Sequence, residues 1–231
     1  LIYFNFTVYT PGKYNISVQI FYNGTDPLLT SNKTNITIWV NDTTKPWNVN
    51  VTTADKINAS RLKNNVSGSV EINVSAFDNG NHTYGARQYD VNNVVVWIWN
   101  QTDTTIGVNA SYTLSNVTGQ YWNFTLSTTK FPDGNYTVEV HVNDTNGNVN
   151  KTTNISIQID NTKPTGSASC SPASVNSGDT VTCSCTVTAA TSGENSSATS
   201  ITANPSTANT GTYTQTCRFA DLAGNTGTTT A

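Results

Sequence analysis

The stretch Asp133-Gly134-Asn135-Tyr136-Thr137-Val138-Glu139-Val140-His141-Val142-Asn143-Asp144 decides the fold. Successive side chains of an extended chain point to opposite sides, so Tyr136, Val138, Val140 and Val142 share one face and Asn135, Thr137, Glu139 and His141 the other. The run Asp144-Thr145-Asn146-Gly147-Asn148 that follows carries residues suited to the positive φ of a tight hairpin turn. A period of two held this long, and rich in β-branched residues, predicts a strand with one buried and one solvated face.

The same period recurs along the chain. Tyr14, Ile16, Val18, Ile20 and Tyr22 alternate with Asn15, Ser17 and Gln19; Trp122, Phe124 and Leu126 with Asn123 and Thr125; Ile155, Ile157 and Ile159 with Asn154 and Ser156. Helical periodicity is almost absent. The fold class expected is all-β, built of sandwich strands.

Aligning the turns exposes an internal repeat. Gly12-Lys13-Tyr14, Gly134-Asn135-Tyr136 and Gly211-Thr212-Tyr213 each open a strand, and Asp221-Leu222-Ala223-Gly224-Asn225 matches the turn at Asp144. Asp42-Thr43-Thr44-Lys45-Pro46 and Asp160-Asn161-Thr162-Lys163-Pro164 lie 118 residues apart and read as junctions, with Pro ending an edge strand. The run from Asp133 through Asp144, Gly147 and Asn148 to Pro164 resembles the immunoglobulin-like repeats of bacterial and archaeal surface proteins. That resemblance implies tandem Ig-like β-sandwiches projecting from cells.

Three segments follow. Residues 1–44 read as the closing strands of a first unit, or as a strand-exchange segment. Residues 45–163 read as a complete sandwich and 164–231 as a smaller one. Three strands do not close a stable sandwich alone, so either preceding residues or another copy would complete the first unit by β-addition.

Composition excludes several functions. Only 11% of residues are charged and the net charge is −3, which leaves no basic surface for nucleic acid. The longest apolar run, Val94 to Trp99, is too short to span a bilayer. The absence of Met suggests a processed product or a segment of a longer protein.

Cys170, Cys183, Cys185 and Cys217 all lie in the last quarter of the chain and read as disulfides of an exported protein. Three pairings are open. Cys185–Cys217 with Cys170–Cys183 is favoured, because residues i and i+2 of a strand share a face and suit two different neighbours. The smaller unit has just two aromatics, Tyr213 and Phe219, so it needs such staples. Val181, Cys183, Cys185 and Val187 are expected to point inward. Gly178-Asp179 through Cys185 resembles the strand B opening of immunoglobulin domains, whereas Tyr213 stands four residues before Cys217 rather than two, which speaks against a tyrosine corner.

Twenty Asn-x-Ser/Thr acceptor triplets begin at Asn5, Asn15, Asn23, Asn32, Asn35, Asn41, Asn50, Asn58, Asn65, Asn73, Asn81, Asn100, Asn109, Asn116, Asn123, Asn135, Asn143, Asn150, Asn154 and Asn195. Chance predicts about 5 of the nineteen found through Asn154. In twelve the middle residue is apolar: Phe6, Ile16, Ile36, Val51, Ala59, Val66, Val74, Ala110, Val117, Phe124, Tyr136 and Ile155. On a strand that side chain is expected in the core, which turns Asn and its hydroxyl partner to solvent together. The scarcity after Asn154 implies a surface covered by a neighbour or carrying O-linked sugars.

No metal site, cofactor or catalytic group is expected. Asn41-Asp42 resembles a cadherin linker and Asp144, Asn146 and Asn148 are spaced like oxygen ligands, but each cluster offers one carboxylate and reads as an ordinary turn. The only histidines, His82 and His141, sit in a triplet and on a solvated strand face. Trp97 and Trp99 share a face and are expected in core or interdomain packing, with a sugar-stacking platform as the rival. The function expected is that of a non-enzymatic, heavily N-glycosylated extracellular structural protein of a surface filament, surface layer or adhesin stalk. Its partners would be other copies, neighbouring surface domains and its own N-linked glycans. The alternative is a carbohydrate-binding or accessory module of a secreted enzyme.

Overall fold

The computed structural model describes residues 5, 7, 12–20, 32–40, 42–55, 65–78, 91–102, 110–188 and 191–231. In chain order the strands are β1 (Gly12–Ile20), β2 (Asn32–Val40), β3 (Trp47–Asp55), β4 (Asn65–Val66), β5 (Ser69–Phe77), β6 (Val91–Asn100), β7 (Ala110–Thr113) and β8 (Ser115–Thr118). After them come β9 (Tyr121–Ser127), β10 (Gly134–Asp144), β11 (Val149–Ile159), β12 (Thr165–Ser171), β13 (Thr182–Thr188), β14 (Ser200–Ile201), β15 (Thr216–Ala220) and β16 (Thr226–Thr230). A single 3-10 turn at Thr128–Lys130 is the one helical element among the described residues, and no helix there is long and apolar enough to cross a membrane. The chain is all-β, as its period-two pattern predicts.

A four-stranded sheet, β3-β5-β9-β8, packs on a five-stranded one, β4-β11-β10-β6-β7. The apolar face of each strand supplies the core. Val70, Ile72, Val74 and Ala76 of β5 meet Val94, Val96 and Ile98 of β6 and Tyr136, Val138, Val140 and Val142 of β10, none more than 2% exposed. Each such aliphatic side chain contributes about 1.5–3 kcal/mol relative to an exposed one.

The core Trp of this sandwich is Trp122, not Trp97 or Trp99. Val94, Val96 and Ile98 take the inner face of β6, so the period of two puts Trp97 and Trp99 outside, half-buried.

Tyr136 ties the start of β10 to the loop before it, donating its hydroxyl to the Pro132 carbonyl at 2.9 Å. Tyr213 does the same to Asn209 at 2.9 Å. The tyrosine corner is therefore present in both units despite the distance of Tyr213 from Cys217, because the hydrogen bond depends on the four-residue step back along the chain, not on the cysteine. Burial pushes the Tyr136 hydroxyl above its ordinary value of 10.0.

Toward the C-terminus, β12-β13 faces β14-β15-β16. Cys170 bonds Cys183, its direct partner across β12 and β13, and Cys185 bonds Cys217 on β15. Val181 and Cys183 are buried as expected, while Cys185 and Val187, farther along β13, are only half-buried. Phe219, 3% exposed, fills the centre. A Cβ on Gly166 would stand 2.6 Å from the Thr186 carbonyl oxygen and 2.9 Å from the Phe219 ring, and one on Gly227 2.6 Å from the Pro164 oxygen. The ring lies against two backbones that lack side chains, which is how so few aromatics make a core.

β1 and β2 pair antiparallel from Gly12 opposite Val40 to Ile20 opposite Asn32. Lys13 lies over the Trp39 ring, 5.2 Å from its centre.

Candidate functional site

Among the described residues, the buried aspartates, Asp42, Asp78, Asp144, Asp160 and Asp221, gather around the junctions at residues 42–46 and 160–164. At the second, Asp160 is fully buried. Its Oδ1 accepts from the Thr162 amide at 3.1 Å, an Asx turn that redirects the chain toward Pro164. Its Oδ2 accepts from the Ser192 amide at 2.8 Å and the Ser192 hydroxyl at 2.6 Å. Its carbonyl accepts from the Asn225 side chain at 2.8 Å. Ser67 to the Ala223 carbonyl, 3.1 Å, and Gln158 to the Thr191 carbonyl, 3.0 Å, add polar links across the same seam.

Asn225 reaches Asp160 because the Asp221–Asn225 turn aims it. Gly224 at φ +96° turns the chain, the Asn225 amide donates to Asp221 Oδ1 at 2.8 Å, and its side chain donates to Asp221 Oδ2 at 2.8 Å. The Asp144–Asn148 turn repeats this atom for atom, with Gly147 at φ +87° and Asn148 donating to Asp144 at 2.8 Å from its amide and 2.7 Å from its side chain. Asn148 then donates to the Asp42 carbonyl at 3.1 Å, and Asp42 Oδ1 accepts from Thr44 at 2.8 Å. What reads in sequence as a hairpin turn is a clamp on the Asp of the preceding junction.

The junctions differ in the residue that follows the second strand of each pair. Asp78 follows β5 as Ser192 follows β13, and β5 pairs with β3 as β13 pairs with β12. Asp42, Asp78 and Asp144 are all buried, and each places a carboxylate oxygen within 4.8 Å of the other two. The expectation of one carboxylate per cluster fails because three distant segments converge. Two unit negative charges at that separation repel by roughly 3 kcal/mol at an effective dielectric of about 20. Neither Asp78 nor Ser192 belongs to a local motif; only the strand pairing brings them in.

A second polar face lies on the outside of β6 and β10. Trp97 and Trp99 stack with centroids 5.8 Å apart, the His141 ring lies 5.7 Å from Trp97, and His141 Nε2 and Glu139 Oε1 are 2.5 Å apart. Gln101 donates to Thr137 at 2.8 Å and Ser156 at 3.0 Å.

Residues 90–161 match the family model of a bacterial Ig-like domain. No curated protein matches the chain. The bacterial Ig-like segment runs from β6 through β11 and carries the Trp face, the Asp144 clamp and Asp160, the residue held by the next clamp. Such domains are typical of bacterial surface proteins, and with the two disulfides they are consistent with a place outside the cell.

Within and beside the bacterial Ig-like segment, the acceptor Asn residues separate by exposure. Asn5, Asn15, Asn35, Asn50, Asn116, Asn135 and Asn154 are exposed; Asn65, Asn73, Asn100, Asn123, Asn143 and Asn150 are half-buried; Asn195 is 9% exposed, its Oδ1 accepting from Ser197 at 2.7 Å. The side chain of Asn32, and all of Asn23, Asn41, Asn58, Asn81 and Asn109, lie outside the described residues, as does His82. The triplets at Asn15 and Asn35 face each other, Asn15 opposite Thr37 and Ser17 opposite Asn35, and each hydroxyl donates to the facing Asn Oδ1, at 2.9 and 2.6 Å. Asn50 opposite Ser75 and Thr52 opposite Asn73 repeat the register. The middle residues Val51, Val66, Val74 and Tyr136 are buried as expected, whereas Ile36 and Val117 are 51% and 58% exposed, since β1-β2 and the edge strand β8 have no layer above them in the described residues.

Proposed function

We propose that the chain is a non-enzymatic structural protein of the cell exterior, its tandem Ig-like domains N-glycosylated on their outward strand faces, and part of a filament, surface layer or adhesin stalk. The observation that carries this reading is the registered pairing of acceptor triplets, which leaves Asn15, Asn35 and Asn50 exposed, with the side-chain oxygens of Asn15 and Asn35 held by the facing hydroxyls. The clamped junctions support it, because a stalk needs successive domains that do not hinge freely. Isolated titratable groups, such as the His141–Glu139 pair on an open strand face, suit a surface better than a reaction centre.

Glycopeptide mass spectrometry of protein taken from its native host tests the reading. Sugar is expected on Asn15, Asn35, Asn50, Asn135 and Asn154. It is not expected on Asn195, which is buried. Bare Asn at all five exposed positions would overturn it. Joining of copies by strand addition at β1-β2, where Ile36 and Trp39 lie exposed, predicts polymers that persist in mild denaturant; a strictly monomeric native protein sinks that part.

The stacked Trp97 and Trp99 favour a second reading, a carbohydrate-binding module. Glycan-array binding that is lost in Trp97→Ala would support it over the stalk.

A further inference from the structure

We propose that the first junction is a site for a divalent cation, Ca2+ by its chemistry, held by carboxylate oxygens of Asp42, Asp78 and Asp144, and that the second junction is closed without an ion because Ser192 stands where Asp78 does. Two observations meet here. The three carboxylates are buried, one oxygen of each within 4.8 Å of the others. In addition, the Oδ2 atom of Asp78, a residue that is otherwise engaged and 1% exposed, is buried and accepts no hydrogen bond. A buried carboxylate oxygen is ordinarily satisfied by donors, and where Ser192 supplies an amide and a hydroxyl to Asp160 Oδ2 at the second junction, Asp78 brings a further carboxylate to the first.

The comparison between junctions isolates the difference. The Asx turns at Asp42 and Asp160, the clamps at Asp144 and Asp221 and the carbonyl contacts of Asn148 and Asn225 are shared. After the second strand of each pair, a hydroxyl donor stands in one junction and a third carboxylate in the other. The donor set is oxygen only, with no His or Cys, which selects a hard cation over zinc. Carboxylates from a linker, a strand end and a turn form a ligand set free of strict octahedral geometry, which suits Ca2+ better than Mg2+. The ion would join residues of three segments and stiffen the first junction, while the second is stiff in its absence.

The test uses the full chain, stripped with EDTA and titrated with CaCl2 by calorimetry and with TbCl3 by luminescence. One ion per chain is expected, with a dissociation constant within roughly the 10−4–10−3 M range of extracellular modules or tighter. Asp78→Asn and Asp78→Ser are expected to weaken binding at least about tenfold and to abolish the Ca2+-induced rise in thermal midpoint, while Asp179→Asn, in an exposed turn, leaves both unchanged. Circular dichroism in EDTA checks that each variant folds. Ser192→Asp, which builds the missing carboxylate into the second junction, is expected to raise the stoichiometry to two and keeps the comparison testable if the Asp78 variants do not fold. Absence of heat and luminescence up to about 10 mM Ca2+, beyond that range, overturns the proposal. So does binding that survives Asp78→Asn unchanged, or a stoichiometry that stays at one in Ser192→Asp.

Discussion

Asn225 donates its side-chain amide to the main-chain carbonyl of Asp160 at 2.8 Å, across 65 residues of chain. The same side chain holds Asp221 Oδ2, so one amide closes its own turn and grips the residue that ends the preceding β-strand. Replacing Asn225 with Ala removes both bonds, and a longer one to the Thr162 carbonyl at 3.3 Å, and leaves the buried Asp160 and Asp221 acceptors unmet. A loss of about 2–4 kcal/mol is expected, given about 1–3 kcal/mol for each buried group deprived of a partner. Urea unfolding followed by tryptophan fluorescence and by far-ultraviolet dichroism checks it, because only the second reports on the nearly aromatic-free C-terminal strands.

Gly227→Ala drives a methyl group into the Phe219 ring and the Pro164 carbonyl. Both are fixed, one by burial and the other by the junction, so the strand must move. A destabilisation of about 1–3 kcal/mol is expected for such overpacking, read as a lowered midpoint of the C-terminal transition.

The two disulfides close loops of different length, with sequence separations of 13 and 32. Loop-closure entropy assigns about 3 kcal/mol to Cys170–Cys183 and about 4 kcal/mol to Cys185–Cys217. Paired Cys→Ser variants at Cys185 and Cys217 are therefore expected to lose more midpoint in denaturant than those at Cys170 and Cys183. Cys185–Cys217 also joins the two facing sheets, which strengthens the expected order.

Tyr136 gives the fold an alkaline limit. Burial raises the folded-state value of its hydroxyl above 10.0, so the native state favours the neutral phenol. Its contribution is complete below the unfolded value of about 10 and is lost as pH rises through the raised folded-state value. Stability should fall as pH climbs from about 10 to that raised value, and Tyr136→Phe should flatten the fall while costing about 1 kcal/mol at neutral pH through the missing bond to Pro132. Denaturant midpoints across pH 8–12 test both, with pH reading roughly two units either side of the unfolded value.

The strands were legible because each depends on side chains two residues apart: Val138 and Val140 fall inside whatever the neighbour is. The turns at Asp144 and Asp221 were legible as turns for the same reason, since Gly147 and Gly224 announce positive φ locally. Their grip on Asp42 and Asp160 was not, because it is made between residues about 65–105 positions apart that no local pattern couples. Trp97 and Trp99 show the limit from another side. Alternation separates them from Val96 and Ile98 but does not say which face is inner, and the choice falls to the sheet that packs on β6.

Asp160 belongs to two folding units at once: its amide donates to the Val66 carbonyl at 3.0 Å, while its carboxylate and carbonyl are held by Ser192 and Asn225. A fragment cut at Pro164 would carry Asn225 without its acceptor and Ser192 without its carboxylate. A segment begun at Asp160 instead keeps both contacts, and the seam between the two pairs of sheets is a residue held in common.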